Sequence, residues 1–196
     1  MKMLTGKRIG FAVTGSFCTF KKAFAEAEAL VQHGAELTPI FSANAAGTDT
    51  RFGKAADHIR RMEEIAGRRA LLTIAETEPL GPKDMLDAIV VAPCTSNTLA
   101  KLALGIVDTS VTMAVKSMLR GGKPIIVAAA TNDALRCSAK NIGLLLNAKH
   151  YYFVPIGQDA PEDKPASMVA DFTRIAETVK LALDGRQIQP LIIQKG

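Results

Sequence analysis

At 196 residues, with 24 Lys+Arg against 19 Asp+Glu and a net charge of +5, the chain can form one core that buries roughly 70% of its unfolded surface. Cys18, Cys94 and Cys137 stand at unrelated spacings that make neither a disulfide framework nor a Cys-x-x-Cys metal site, so a reducing compartment and no metal are expected. The sequence has no apolar leader, no membrane-length apolar run and no Trp, which predicts a soluble cytoplasmic protein without a nucleic-acid surface, and its dispersed positive charge suits a small anionic ligand.

Strand and helix patterns alternate along the chain. Arg8–Val13 reads as a first strand, Phe20–Gln32 as a helix closed by His33-Gly34, and Glu36–Phe41 as a second strand. Residues 53–66 read as a helix ending at Gly67, and residues 70–74 as a short third strand. The fourth strand, 86–91, leads into Ala92-Pro93-Cys94-Thr95-Ser96-Asn97-Thr98, where Pro93 should end the ladder and the hydroxyls and amide should start a helix over 99–104, stopped by Gly105. A helix over 109–120 capped by Asp108 follows, then a fifth strand over 124–128 and a helix over 139–148. A sixth strand covers 151–154, and an eleven-residue polar loop precedes an amphipathic helix over 166–183. No repeat or linker interrupts the pattern, which predicts a single domain over 1–196, with a core at 5–185 and a C-terminal tail at 186–196.

This alternation predicts a doubly wound, Rossmann-like α/β sandwich of three layers around a mostly parallel six-stranded sheet. Pro39 suits an edge strand, and the six-stranded Rossmann order is favoured over the other common arrangement. Ligands of such sheets lie beyond the carboxyl ends of the strands. Those ends carry Thr14-Gly15-Ser16, Ser42-Ala43-Asn44, Thr95-Ser96-Asn97-Thr98 and Ala129-Ala130-Thr131-Asn132-Asp133. Gly15 lets the backbone approach a phosphate, and Ser16 and Ser42 offer hydroxyls. The dinucleotide Gly-x-Gly-x-x-Gly spacing is absent, and Ser42 stands where a ribose-binding acid would be expected. A mononucleotide with one terminal phosphate fits better, FMN being the aromatic candidate.

Pro93-Cys94-Thr95-Ser96-Asn97-Thr98 resembles the Pro-Ala-Ser-Ala-Asn-Thr signature of the flavoprotein family that contains the peptidyl-cysteine and phosphopantothenoylcysteine decarboxylases. Thr14-Gly15-Ser16 fits that family's first phosphate loop, and the resemblance covers about residues 5–185. The segments 132–135, 141–147 and 152–159 are similar to the branch of the family that serves dipicolinate synthesis. The resemblance implies non-covalent FMN, assembly as trimers or multiples of trimers, and a flavin near the boundary between protomers. It places Gly15, Ser16 and Ser42 at the phosphate, Thr95, Ser96, Asn97 and Thr98 at the ribityl chain and ring, and Ala130 beside the isoalloxazine.

The decarboxylases carry Pro-x-Met-Asn-x-x-Met-Trp after the fifth strand, whereas this chain keeps only Asn132 of those polar and bulky residues. An FMN-dependent cysteine decarboxylase therefore ranks below a redox role. The dipicolinate branch implies that the chain works with the A subunit of dipicolinate synthase, which brings NADP, to oxidise dihydrodipicolinate in the mother cell of a sporulating bacterium. Either FMN or the partner's NADP takes the hydride, and a non-catalytic structural subunit is the further alternative. For the dicarboxylate substrate, Arg51 offers a guanidinium fork, His58 a proton-transfer group and Asn132 an amide, while Arg60, Arg61, Arg68 and Arg69 read as a solvated face paired with Glu63 and Glu64. Cys18 and Cys94 read as packing residues, and Asp159 and Lys164 as part of a lid or a contact between protomers.

Overall fold

The most apolar runs lie side by side at the centre of the sheet. In the computed structural model, which describes residues 2–194, β1 (Arg8–Val13), β3 (Ala88–Cys94) and β4 (Ile125–Thr131) are buried along almost their whole length. Strands with both faces covered need no polar alternation. β2 (Glu36–Phe41) flanks β1, and β5 (Tyr151–Phe153) flanks β4, giving five parallel strands in the order 2-1-3-4-5. This is the other common doubly wound arrangement, not the Rossmann order favoured from the sequence. Pro39 lies in β2 at the sheet's rim, as a residue without an N–H requires.

Two helical layers cover the sheet. On one face α1 (Phe20–Gln32), α3 (Ala55–Ala66) and α8 (Ile175–Leu183) contribute Phe20, Phe24, Leu30, Met62, Ile175 and Val179 to a core over Phe11, Val90 and Ile126. On the other, α5 (Ser96–Leu104), α6 (Ser110–Arg120) and α7 (Ala139–Leu146) contribute Leu99, Val115, Met118 and Leu145 over Ile89, Val91 and Val127. Two short helices, α2 (Ala43–Gly47) and α4 (Ile74–Thr77), sit in the connections. Among the described residues no helix is long and apolar enough to cross a membrane.

The expected three-layer doubly wound sandwich is present, with seven strands in place of six. β6 (Ile156–Gly157) and β7 (Met168–Ala170) were expected as loop and helix. β5 pairs only with Ile125, Ile126 and Val127 of β4, which leaves Ala130 and Thr131 open along the same edge, and Val169 and Met168 fill it antiparallel. Tertiary pairing thus overrides the helical period at the start of the 166–183 segment, and α8 begins only at Ile175.

Residues 70–74 make one bridge, Leu71 to Ile40, instead of a strand. The Thr73 and Glu76 side chains form a capping box there and turn the chain into α4. Pro93 does not end its ladder: β3 runs on to Cys94 through a register shift between Val91 and Cys94. α5 starts at Ser96 because Thr95 caps it, and Thr109 replaces Asp108 as the cap of α6, Asp108 pairing with Lys101 at 2.7 Å. The segment after 185 is stitched in, with the Gln187 amide bonding both the N–H and the carbonyl of Phe153 at 2.8 and 2.7 Å, and Ile188 only 1% exposed.

A Cβ on Gly81 would stand 1.8 Å from the Ser117 carbonyl oxygen, whereas one on Gly47 would meet nothing within 4 Å. Gly81→Ala should therefore lose about 3 kcal/mol or more in urea titration, and Gly47→Ala should stay within about 1 kcal/mol of the parent.

Arg8 stands 2.7 Å from Asp87 and Lys123 stands 2.7 Å from Asp84. Hydrogen bonding to these cations holds both carboxyls below their ordinary range. Their contribution is complete above the unfolded carboxyl value, near 4, and disappears as pH falls through the depressed folded values. Urea midpoints should therefore decline below about pH 4, and less steeply in Asp87→Asn.

Candidate functional site

The carboxyl ends of β1, β3 and β4 open into one cleft of ≈ 700 Å³. Thr14, buried at the end of β1, precedes the lining residue Gly15. Its hydroxyl donates to the Pro93 carbonyl at 2.7 Å and accepts from the Thr95 N–H at 3.1 Å, tying the end of β1 to the start of α5. Thr95 then caps α5, its hydroxyl accepting from the Thr98 N–H at 3.3 Å. Thr95 and Ser96 therefore present the amino end of α5, with its partial positive charge, on the cleft wall beside Gly15 and Ser16. A Cβ on Gly15 would make only ordinary contacts, 3.6 Å from the Phe17 ring and 3.9 Å from Asn44, so the fold itself does not demand glycine there.

The opposite wall comes from the turn after β4 and from the segment entering β7. The Asp133 carboxylate accepts hydrogen bonds from the Thr131 hydroxyl at 2.5 Å and the Ser138 hydroxyl at 2.8 Å, and the Asp133 carbonyl accepts from the Arg136 N–H at 2.9 Å. Asp133 thus faces inward and holds a turn from which Asn132 and Arg136 line the cleft. The Leu135 N–H donates to the Ala166 carbonyl at 3.1 Å, joining the two segments, and within the second the Ser167 hydroxyl donates to Asp159 at 2.7 Å. Lys164 stands 4.0 Å from Asp159 on the same rim. Phe17, Phe52, Ala130, Pro165 and Val169 make the remaining surface broad and apolar.

Of the residues singled out from the sequence, Gly15, Ser16, Thr95, Ser96, Ala130 and Asn132 line this cleft, as do Cys18, Asp159 and Lys164. Ser42 does not. Its hydroxyl caps α2 by accepting from the Ala45 N–H at 3.3 Å, although the α2 turn abuts Gly15 through Asn44. Asn97 is exposed on the first turn of α5, and Thr98 is buried with its hydroxyl 3.1 Å from that of Thr95, so neither lines the cleft. In a helix that begins at Ser96 these two side chains leave the wall within one turn.

Arg51 and His58 also lie off the cleft. The Arg51 guanidinium stacks over the Phe52 ring at 4.9 Å, and it is Phe52 that lines the site. His58 packs edge-on against Phe20 at 4.9 Å and Phe24 at 5.9 Å. Its Nε2 is buried without a hydrogen-bond partner, under a Gly53 whose φ of +133° and 2.8 Å approach leave no room for a Cβ. The neighbouring arginines are ion-paired as expected, Arg61 with the expected Glu64 and also with Glu28, and the others with different partners: Arg60 with Asp57, Arg68 with Glu36, and Arg69 with Glu76. Glu63 instead accepts from the Ala70 N–H at 2.8 Å.

Phe17, Arg136, Ser167 and Val169 line the cleft without having been singled out from the sequence. For Arg136 a signal existed, because it lies in the segment where the chain departs from the decarboxylase pattern. Val169 had none, since its segment carries a helical period.

Cys94 is fully buried in β3, and burial pushes its thiol far above the ordinary value, whereas Cys18 and Cys137 are exposed. A thiol reagent should modify two cysteines in the native protein and the third only on unfolding, with Cys18→Ser and Cys137→Ser each removing one of the fast equivalents.

Residues 1–183 match the protein-family model described as Flavoprotein. The B subunit of dipicolinate synthase from Bacillus subtilis is 42% identical over 194 residues, which is 99% of this chain and 97% of that protein. The crystal structure of the dipicolinate synthase B subunit from Bacillus halodurans superposes with a TM-score of 0.91 at 40% identity, covering 98% of this chain and 99% of that one. Burkholderia xenovorans DmrB in complex with FMN, described as a cubic protein cage for redox transfer, superposes at 0.62 with 26% identity, covering 76% and 87%. A parallel 2-1-3-4-5 sheet with a polar cleft over β1, β3 and β4, matched along 1–183 and closely similar over its whole length to two dipicolinate synthase B subunits, places the chain in the flavoprotein family.

Proposed function

We propose that the cleft binds FMN and that the chain, joined to the nicotinamide-dependent A subunit of dipicolinate synthase, oxidises dihydrodipicolinate to dipicolinate. The observation that carries this reading is the make-up of the cleft: a helix amino end beside Gly15 and Ser16, together with a broad apolar surface from Phe17, Phe52 and Ala130. That pairing suits a ligand with a phosphate at one end and a flat aromatic system at the other. Membership of the flavoprotein family and 42% identity to a dipicolinate synthase B subunit support the same choice.

In this reading Ser16 and the Ser96 N–H meet the phosphate, with Gly15 allowing the backbone to come close. Thr95 fixes the direction of α5, and Ala130 leaves room beside the ring. Ser42 keeps a hydroxyl proton free to donate while its oxygen caps α2. The Asn132 amide, held by the Asp133 turn, gives the ring or the substrate a donor and an acceptor. Bound FMN supplies a two-electron acceptor. The dihydropyridine loses a hydride and a proton as it becomes aromatic, and the NADP carried by the partner is the onward or alternative acceptor. Arg51 acts in this reading only through Phe52, on whose ring it stacks, and His58 only through the packing of Phe20 and Phe24. The site belongs to a cytoplasmic protein of the sporulating mother cell that assembles as trimers or their multiples, for which the cage described for DmrB is a precedent.

Flavin titration tests the cofactor. Gly15→Val should weaken FMN binding at least about tenfold with an unchanged urea midpoint, and bound FMN should slow the modification of Cys18 but not of Cys137. Unchanged affinity and equal reactivity would sink the assignment. Dipicolinate absorbance followed for the chain, for its nicotinamide-dependent partner and for the mixture tests the reaction, and full activity from that partner on its own would reduce the chain to a structural subunit.

A further inference from the structure

Most arginines of this chain face a carboxylate: Arg8 meets Asp87, Arg61 Glu28, Arg69 Glu76, and Arg174 Glu177. Arg136 meets none among the described residues, and it lines the cleft. Its backbone is fixed by the hydrogen bond to Asp133, whose carboxylate is turned inward on Thr131 and Ser138 and is therefore not offered to the guanidinium. Lys164, the second cation of the wall, comes from a segment joined to the Arg136 turn by the bond from Leu135 to Ala166.

The sheet order gives the spacing. Gly15 and Ser16 follow β1, Arg136 follows β4, and Lys164 precedes β7, with the strands lying in the order β1-β3-β4-β7. At about 4.8 Å per strand, the ends of β4 and β7 that carry these turns lie roughly 10–14 Å across the sheet from the end of β1.

We infer that Arg136 and Lys164 form a second anion subsite in the cleft, which takes a carboxylate of the substrate. The inference deepens the dicarboxylate reading given above and rests on it for the substrate class. Arg136 is the principal group, since its planar fork matches a carboxylate with two parallel hydrogen bonds and its charge is not already satisfied. Lys164 contributes less, because Asp159 stands 4.0 Å away and offsets its charge. Asp133 is a positioning residue that presents Arg136 on a rigid turn. Arg51, the fork chosen from the sequence, stacks on Phe52 outside the cleft and leaves this role to Arg136.

The experiment measures binding of pyridine-2,6-dicarboxylate, benzene-1,3-dicarboxylate and pyridine-2-carboxylate to the FMN-loaded protein by calorimetry, with an FMN titration of each variant alongside. Arg136→Ala should weaken the dicarboxylates about tenfold to a hundredfold, Arg136→Lys should fall between it and the parent, and Lys164→Ala should weaken them only a few-fold. Flavin affinity should not change. If Arg136→Ala weakens FMN instead, the guanidinium belongs to the flavin phosphate and the subsite is overturned. Dicarboxylate affinity untouched by Arg136→Ala, or no dicarboxylate binding by the parent, overturns it equally. Turnover by the two subunits is read separately. Dicarboxylate binding that depends on Arg136 without any turnover sinks the redox reading and keeps the subsite, whereas turnover whose KM ignores Arg136 does the reverse.

Discussion

The Thr14 hydroxyl sets the geometry on which the site depends. It is 1% exposed, donates to Pro93 and accepts from Thr95, and so fills both roles of a hydroxyl across two neighbouring strands. β3 has just passed through a register shift and a proline, so the backbone there has no regular ladder to follow. A serine in place of Thr14 would keep the bonds, while a valine would take the partner from the buried Pro93 carbonyl, at about 1–3 kcal/mol, and from the part-buried Thr95 N–H at less. The direction of α5, and with it the anion-attracting end of the cleft, is thereby fixed from β1.

A second constraint acts at β4. Because β5 is only three residues long, the upper edge of β4 would be an open template of unpaired backbone groups. β7 covers it with two paired residues, and this brings the 159–167 segment over the cleft, where it carries Lys164, Pro165 and Ser167 to the wall. The backbone's need for hydrogen-bond partners at one strand edge thus builds the half of the cleft that the first three strands do not supply.

These two constraints explain what was legible in the sequence and what was not. β1, α1 and β2 were readable to the residue because each is bounded by local chemistry: Gly34 at a φ of +91°, an apolar run, a proline that tolerates an edge. That Gly15, Ser16, Thr95 and Ser96 line the cleft was readable for the same reason, since they sit where strands stop and helices start. β6 and β7 were not, because two- and three-residue strands have no period of their own and are specified by the edge they fill. Arg51 and Arg136 look alike in sequence. Only the fold shows that one stacks on the outside of Phe52 while the other is held facing the cleft.

In the proposed reading the cleft combines two kinds of recognition with different physical origins. At the β1 side the groups proposed to meet an anion are backbone N–H dipoles and hydroxyls, which carry no net charge and are oriented by the start of α5 and the Thr14 hydroxyl that fixes it. At the β4 side they are two full cations on connected turns, one of them partly offset by Asp159. Fixed dipoles suit a group that stays bound through many turnovers, because they are already aligned before it arrives. Cations on solvent-reached turns suit a group that must enter and leave, because their hold is screened by water and salt and is readily exchanged. This asymmetry is what the proposed resident mononucleotide beside a transient dicarboxylate would require, and it falls in the segment 131–136, where this chain departs from the decarboxylase pattern and ends in the charge of Arg136.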